Sequence, residues 1–254
     1  MKHFLLPGAY TGPTRVTLGE ADAHRPLRVL RLREGDQLPA VDARGGRYAM
    51  TILRAGKSEC DVTLAPVGDA PPAGPVAEGC RITLLQCLPK GRKIDLIVRQ
   101  ATEAGVARVV PLVSAHTIVR IGEDDGRTRR LRRIAREAVQ QSGAPRLPLI
   151  EEPRELASIT RTGEDWGTAL LFHERRSEAA PLHRLLADRP RVVSVLIGPE
   201  GGLDEAEVAQ LTAAGFHLVH LETGVLRVET AATYALGAVM TILQERDEWK
   251  PDRA

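Results

Sequence analysis

The chain has 254 residues, of which 43% are hydrophobic and 27% are charged, and its formal net charge is +2. This length suffices for one large domain or two with a sizeable buried core. No apolar run approaches the ~20 residues of a membrane-spanning helix, and the apolar stretch at 4–6 is too short for a signal peptide, so the sequence predicts neither feature.

Arginine accounts for 30 of the 35 basic residues. Its planar guanidinium grips phosphate and stacks on bases, so this bias is typical of RNA-binding proteins. A GC-rich genome would produce the same bias. The net charge is too small to indicate a nucleic-acid partner by itself, and the composition leaves both interpretations open.

The three cysteines, Cys60, Cys80 and Cys87, share no spacing that is typical of a metal site. Cys80 and Cys87 lie an odd number of positions apart in a predicted strand, so their side chains would face opposite sides of it. We therefore expect reduced thiols in the core of a cytoplasmic protein, and no bound metal.

Residues 1–73 have the pattern of a small β domain. Short β-like runs occupy 48–53 and 61–64. Pro26 suits a first helical turn, which predicts a helix over 27–32. Residues 68–75 are rich in Pro and Gly, and this composition predicts a linker.

From Arg81 onward the pattern changes to strands that alternate with longer helices. This alternation predicts an α/β domain with a largely parallel sheet. The expected strands are 82–88, 106–113, 169–172, 192–197 and 217–221. The expected helices are 92–104, 127–142, 179–187, 204–214 and 229–245.

The predicted helix at 127–142 contains six arginines within ten residues. A stripe with the spacing of a buried helix face consists of Leu131, Ile134, Ala135 and Ala138. A row on the opposite face, two positions earlier in the chain, consists of Arg129, Arg132, Arg133 and Arg136. Glu137 is the one acid interleaved with this row, which is either a solvated face or a contact surface for RNA phosphates.

The segment 198–202, Gly-Pro-Glu-Gly-Gly, follows an apolar strand and precedes a helix that Asp204 and Glu207 can start as a capping box. Glycines let backbone N–H groups approach a ligand, although most such turns bind nothing. Glu200 would repel a phosphate, and the loop lacks the motifs of P-loop and dinucleotide sites. A nucleoside-like, positively charged ligand without phosphate, such as S-adenosylmethionine, fits better.

A second glycine turn at 221–231 ends another predicted strand and opens the last helix, with Glu229 in its first turn. Two strand-end loops in one parallel sheet suit a ligand crevice at the carboxyl ends of the strands. Arg227 beside this crevice either polarises a substrate or forms a plain salt bridge with Glu229 or Glu222.

Together these segments resemble the ribosomal RNA small subunit methyltransferase E family of knotted SPOUT methyltransferases. The matching segments are Gly198-Pro199-Glu200-Gly201-Gly202, Leu226-Arg227-x-Glu229-Thr230-Ala231, Leu88-Pro89-Lys90-Gly91, 101–106 and 137–143. His24 and residues 29–36 resemble the PUA-like module of the family. The similarity covers nearly the whole chain.

The resemblance implies a PUA-like β-barrel domain at 1–73 and a SPOUT α/β domain with a deep trefoil knot at 74–254. It implies a homodimer that uses S-adenosylmethionine to methylate N3 of one uridine in 16S rRNA of the small ribosomal subunit. The implied cofactor-binding residues are Leu171, Gly198, Pro199, Glu200, Gly201, Gly202, Leu221, Val225 and Leu226. The implied RNA-binding residues are Arg28, Arg31, Lys90, Arg129, Arg132, Arg133 and Arg136.

For catalysis, the resemblance implies that Arg227 stabilises the negative charge that develops on the uracil ring. Glu229 would accept the N3 proton, or would serve only as a helix-start carboxylate. The chain departs from the family at three positions, where Glu222 replaces Gly, Gly224 replaces Arg and Val228 replaces Thr. Glu222 is expected to place a side chain beside the adenine pocket.

Two other classes of protein share these features. One is a non-catalytic RNA-binding factor of ribosome assembly on the same fold. The other is a nucleotide-dependent enzyme on an ordinary open α/β sheet. Binding of S-adenosylmethionine and transfer of its methyl group distinguish both from the methyltransferase.

Overall fold

The computed structural model describes residues 3–42, 46–67, 80–118, 126–144, 146–160, 163–174 and 180–245. The predicted linker at 68–75, and with it the predicted domain boundary at 73/74, lies outside these ranges. The chain divides into two compact units, Met1–Gly74 with Arg136–Leu147, and Pro75–Ala135 with Pro148–Ala254. No helix within the described ranges is long and apolar enough to cross a membrane.

The first unit is built on a sheet of five strands. These are β1 (Phe4–Leu5), β2 (Thr14–Leu18), β3 (Gln37–Val41), β4 (Arg47–Ala55) and β5 (Cys60–Pro66). Their order is β1-β3-β4-β5-β2. The runs predicted at 48–53 and 61–64 are confirmed within β4 and β5, where buried and less buried residues alternate because one face covers a core.

The helical segment of this unit begins earlier than expected. Helix α1 spans Glu20–His24 and runs directly into a π-helical turn, Arg25–Val29. The prediction of a helix over 27–32 was therefore wrong in position. Arg28 lies on the helical segment, whereas Arg31 lies beyond it with a left-handed backbone at φ 56°.

Pro26 explains the difference. Proline lacks an N–H group and its ring crowds the preceding helical turn, so an α-helix cannot continue through it unchanged. The chain widens instead, and the N–H of Leu30 donates to the carbonyl of Arg25 at 2.9 Å. Pro26 thus marks a change of helix type rather than a helix start.

The second unit contains a sheet of seven strands. These are β6 (Arg81–Cys87), β7 (Arg108–Val113), β8 (Leu149–Ile150), β9 (Arg154–Glu155), β10 (Thr168–Phe172), β11 (Val192–Ile197) and β12 (His217–Val219). The order is β12-β10-β11-β6-β7-β8, with β9 also paired to β7, and every pair is parallel. The predicted parallel α/β architecture is confirmed, and the knot stays a prediction of the resemblance.

The helices are α2 (Lys93–Glu103), α3 (Arg127–Ser142), α4 (Leu182–Leu185), α5 (Glu205–Ala213) and α6 (Val228–Gln244). In the described part of the expected helix at 179–187, only α4 is α-helical. Helix α3 continues from the second unit into residues assigned to the first. The three cysteines are buried thiols.

The parallel sheet sets the position of the site. Phe172 at the end of β10 is in register with Ile197 of β11 and Val219 of β12. Because parallel strands present their carboxyl ends at one edge, the segments that follow these residues emerge side by side.

Candidate active site

Residues 198–202, the glycine loop, form a tight turn after β11. The N–H of Gly202 donates to the carbonyl of Pro199 at 3.0 Å, and Gly202 has φ +72°, which favours glycine. A Cβ at Gly201 would lie 3.1 Å from the Cβ of His116, so glycine permits the close approach of these two segments. The loop is therefore packed closely against its neighbours.

Helix α5 follows the loop with the predicted capping box, which is confirmed. The N–H of Glu207 donates to the Asp204 carboxylate at 2.7 Å, and the Asp204 N–H donates to Glu207 at 3.0 Å. The other carboxylate oxygen of Glu207 accepts from the Ala115 N–H at 2.7 Å. Glu207 thus anchors the start of α5 to the segment after β7.

Glu200 is held by the segment that leads into α2. The Lys90 N–H lies 3.2 Å from both carboxylate oxygens, and the Lys93 ammonium donates to Oε1 at 2.8 Å. Partial burial acts to raise the pKa of Glu200, but these hydrogen bonds outweigh it and hold the pKa below its ordinary value. Glu200 is therefore an ionised, paired carboxylate that connects the glycine loop to residues about a hundred positions earlier.

A cavity of about 530 Å³ opens beside the glycine loop. Its walls come from the glycine loop, from the end of β10, and from the segment 219–228 between β12 and α6. The predicted cofactor-binding residues that line it are Gly198, Pro199, Glu200, Gly201, Gly202, Leu221, Val225 and Leu226. The structure thus gathers two distant sequence motifs around one cavity.

Leu171 is the exception and requires a correction. It is fully buried in the core of the sheet and does not line the cavity. The cavity lining begins one residue later, at Phe172 and His173, whereas Leu171 packs in the hydrophobic core with Leu196. An apolar run in the sequence does not show at which residue a strand leaves the sheet.

Arg227 is the N-cap residue of α6, is exposed, and lines the cavity. Its side chain makes no hydrogen bond or ion pair with the described residues, so the alternative of a salt bridge to Glu229 or Glu222 does not hold in this structure. An uncommitted guanidinium on a cavity wall is free to contact a ligand.

Glu229 lies close to the cavity but is not one of its lining residues. Its Oε2 is 3.8 Å from the Lys93 Nζ, is buried, and has no hydrogen-bond partner among the described residues. Its assignment as proton acceptor stays a prediction. In this structure its carboxylate faces Lys93.

Lys93, at the first position of α2, lines the cavity and was missed by sequence reasoning. Its hydrogen bond to Glu200 raises its pKa; desolvation and the nearby charge of Arg227 act in the opposite sense, and Glu229 adds to the rise. Lys93 is therefore an ammonium group placed between two carboxylates. The only signal in the sequence was its position three residues after Lys90.

At the positions where the chain departs from the family, Gly224 and Val228 line the cavity. Glu222 is exposed and does not line it, although its neighbours Leu221 and Thr223 do. The expectation that Glu222 lies beside the pocket was therefore wrong, because its side chain leaves the loop on the solvent side.

Helix α3 shows the predicted division into two faces. The stripe of Leu131, Ile134, Ala135 and Ala138 is buried, and the four arginines of the opposite row are exposed. Acids from distant parts of the chain partly compensate the row, since Arg132 lies 3.3 Å from Glu152 and Arg136 lies 3.9 Å from Asp22. Sequence spacing within the helix could not reveal these partners.

The remaining predicted RNA-binding residues are also accessible. Arg28 donates to the carbonyl of Lys57 at 3.3 Å in an exposed position, and Arg31 and Lys90 are exposed as well. The assignment of all seven basic residues to RNA stays a prediction.

Comparison with known proteins agrees with this architecture. The profile of the RNA methyltransferase domain family matches residues 77–240, and that of the RNA methyltransferase PUA domain matches residues 27–65. Ribosomal RNA small subunit methyltransferase E of Synechocystis sp. is 30% identical, with 90% of this chain and 74% of that protein covered. The Bacillus subtilis protein of the same name is 28% identical, with 89% and 90% covered.

Two solved structures are similar over nearly their whole length. Ribosomal RNA small subunit methyltransferase E from Neisseria gonorrhoeae, bound to S-adenosylmethionine, has a TM-score of 0.80 at 26% identity, with 95% of this chain and 98% of that chain covered. A methyltransferase from Legionella pneumophila, also with S-adenosylmethionine, has a TM-score of 0.80 at 26% identity, with 94% and 96% covered. The chain therefore belongs to the RNA methyltransferase domain family and, within it, to the ribosomal RNA small subunit methyltransferase E proteins.

Proposed function

We propose that this protein transfers the methyl group of S-adenosylmethionine to N3 of a specific uridine in 16S rRNA of the small ribosomal subunit. The observation that carries the proposal is the guanidinium of Arg227, which has no partner among the described residues and lies on the wall of the cavity beside the glycine loop. Family membership and the cofactor in two similar structures support it.

The residues of the cavity fit S-adenosylmethionine. Its volume of about 530 Å³ lies in the range typical of small-molecule sites. Ile197, Val219 and Leu226 supply apolar lining that suits an adenine ring. The charged side chains on the lining are of both signs, with Glu174 and Glu200 beside Lys93 and Arg227.

The cofactor, when bound, supplies a methyl group that is already activated on a sulfonium. Uridine N3 carries a proton and is a poor nucleophile at neutral pH, so the protein must favour its anion. The Arg227 guanidinium beside a uracil carbonyl oxygen would stabilise the developing negative charge. The closely packed glycine loop would fix one wall of the site, which favours alignment of the reacting atoms.

Removal of the N3 proton is the second task of the site. Glu229 is the predicted acceptor, and it would reach a substrate only by leaving Lys93. We therefore expect Glu229→Gln to lower turnover only modestly, about tenfold or less, if the proton passes to solvent. A loss of about a thousandfold or more, with unchanged cofactor affinity, would instead place Glu229 in direct contact with the proton.

For the RNA partner, we propose that phosphates contact Arg28, Arg31, Lys90, Arg129, Arg132, Arg133 and Arg136. Each phosphate contact that is lost lowers the dependence of binding on log salt concentration by about one unit. Arg129→Gln, which removes an exposed cation without a partner among the described residues, should weaken RNA binding and reduce this salt dependence. An unchanged salt dependence would remove Arg129 from the interface.

We also propose a homodimer in the cytoplasm. Leu96 on α2 and Tyr234 on α6 are 40% and 51% exposed, and these two helices pack against each other. Exposed apolar side chains on neighbouring helices are typical of a contact surface. Sedimentation should give the mass of two chains for the native protein and of one chain for Tyr234→Glu, whereas a native monomer would contradict the proposal.

The methyltransferase proposal is tested with small subunits that lack the methyl group and with labelled S-adenosylmethionine. We expect label in 16S rRNA with the native protein and little with Arg227→Ala. Failure to bind the cofactor in calorimetry would favour a nucleotide-dependent enzyme. Cofactor and RNA binding without methyl transfer would favour an assembly factor.

A further inference from the structure

Four charged side chains of the second unit lie around one side of the cavity. Two are cations, Lys93 and Arg227, and two are carboxylates, Glu200 and Glu229. Both carboxylates face Lys93, at 2.8 Å for Glu200 and 3.8 Å for Glu229. Arg227, only two positions before Glu229 in the chain, faces neither of them.

The two cations do not share the two carboxylates equally. Arginine forms bidentate pairs with carboxylates that are stronger than most lysine pairs, so an Arg beside two carboxylates would ordinarily pair with one of them. Arg227 is near enough for its charge to lower the pKa of Lys93. Arg227 thus lies in the electrostatic surroundings of Lys93, and Lys93 is the cation that holds both carboxylates.

We propose that Lys93 is a positioning residue that keeps Arg227 available to the substrate by holding the carboxylates of Glu200 and Glu229. This inference rests on the proposed function, because it assigns Lys93 an effect on the same reaction through Arg227. Lys93 acts on the arrangement of charges in the free site and needs no contact with substrate.

The burial of Glu229 explains why the loss of Lys93 would matter. Its Oε2 is buried and has no hydrogen-bond partner among the described residues, so Lys93 supplies the nearest compensating charge. A buried carboxylate without a partner is costly, and it recruits another cation within reach. Arg227 has a long side chain and is uncommitted, and its capture by Glu229 would withdraw it from the substrate.

The proposal predicts that Glu229→Gln partly restores the turnover that Lys93→Met removes. Lys93→Met removes the charge and should lower kcat about tenfold or more, as Arg227 turns to the freed carboxylate of Glu229. Glu200 keeps its contacts with the Lys90 N–H, so Glu229 is the carboxylate left without a partner. Adding Glu229→Gln removes that carboxylate, and the double variant should turn over faster than Lys93→Met, up to the rate of Glu229→Gln alone. A merely structural role for Lys93 predicts the reverse, since a second substitution in the site would leave turnover the same or lower it further.

The experiment compares the native protein, Lys93→Arg, Lys93→Met, Glu229→Gln and the double variant. Lys93→Met with Glu103→Gln is the matched control, because Glu103 is an exposed carboxylate at the far end of the same helix. Turnover on small subunits, cofactor affinity by calorimetry and thermal unfolding are measured for each. We expect Lys93→Arg to stay near native turnover and the control double variant to stay as low as Lys93→Met.

Two results overturn the inference. Native turnover in Lys93→Met would show that Arg227 needs no protection, and a double variant no better than Lys93→Met would show that Glu229 does not capture Arg227. Both are distinct from failure of the proposed function, which would appear as absence of methyl transfer by the native protein. Lys93→Arg keeps the test valid if Lys93→Met unfolds, since a folded Lys93→Arg with turnover lost tenfold would also contradict a purely charge-based role.

Discussion

The two loops that form the cavity differ in how firmly the chain holds them. The glycine loop at 198–202 is anchored by Lys90 and Lys93 through Glu200, by His116 through Gly202, and by the capping box of α5. In the second loop, 221–227, Val225 is 90% exposed, and the backbone bond within it joins the Thr223 N–H to the Leu221 carbonyl at 2.7 Å. One wall of the site is thus preorganised, and the other is free to adapt to a ligand.

The difference matches the two tasks of a transferase. A fixed wall holds the cofactor in one orientation, which lowers the entropy that is lost at reaction. A less constrained wall would leave room for a large RNA substrate to enter. Substitutions in the two loops should therefore affect different measurable quantities.

The largest effect is expected from Arg227→Ala in the second loop. Loss of a charge that stabilises the transition state costs about 100-fold to 1,000-fold in kcat. Cofactor affinity should stay within about twofold, because the glycine loop is intact. Single-turnover kinetics and calorimetry measure the two quantities, and a large loss of cofactor affinity with unchanged turnover would reverse the roles of the loops.

A smaller effect is expected from the loop glycines. Gly202→Ala places a side chain at φ +72°, which costs about 1–2 kcal/mol, and should lower both the unfolding temperature and cofactor affinity. Gly224→Ala is the matched control, because a Cβ there would meet nothing within 4 Å. Equal effects of the two substitutions in thermal unfolding and calorimetry would contradict the contrast between the loops.

The anchoring of the glycine loop should depend on pH through Glu200. Its pKa lies below the ordinary value of 4.5, so its pairing stabilises the folded state above that pH and is lost as pH falls through the lowered pKa. In Glu200→Gln, the loss of stability between neutral and acidic pH should be smaller than in the native protein, by about 1 kcal/mol or less. Urea unfolding at several pH values measures this difference. If the stabilities of the two proteins fall in parallel as the pH is lowered, Glu200 contributes no pH-dependent anchor.

The smallest effect is expected at the exposed tip of the second loop. If this loop adapts to the cofactor, amide hydrogen exchange around Val225 should slow when S-adenosylmethionine binds, while the glycine loop is already protected in the free protein. Equal protection of both loops before binding would contradict the comparison. Fast amide exchange in the second loop with the cofactor bound would also contradict the comparison.

Local features of the site and the meeting of its two loops could be predicted from the sequence, but side-chain pairs between distant residues could not. The capping box of Asp204 and Glu207 depends on a spacing of three residues, and the buried stripe of α3 depends on helical periodicity, so both were visible. The pairing of Lys93 with Glu200 joins residues 107 positions apart and has no local signature. It forms because β6 and β11 are neighbours in the sheet, so the segments that follow them meet at its edge.

Two expectations that the structure corrects show what the sequence does not reveal. Pro26 was interpreted as a helix start, but a proline inside a helix also permits a wider turn, and only the backbone geometry distinguishes the two. Leu171 was assigned to the pocket by the resemblance to the family. Its side chain packs in the hydrophobic core, whereas that of the next residue, Phe172, lines the cavity, and the residue types do not reveal this difference.

The most direct test is identification of the methylated nucleoside. Small subunits lacking the modification are incubated with the protein and S-adenosylmethionine, and the 16S rRNA is digested and analysed by mass spectrometry, with Arg227→Ala in parallel. The account predicts N3-methyluridine at one position with the native protein and about 1% or less of that rate with the variant. Methylation of a different base, or equal rates for the two proteins, would contradict it.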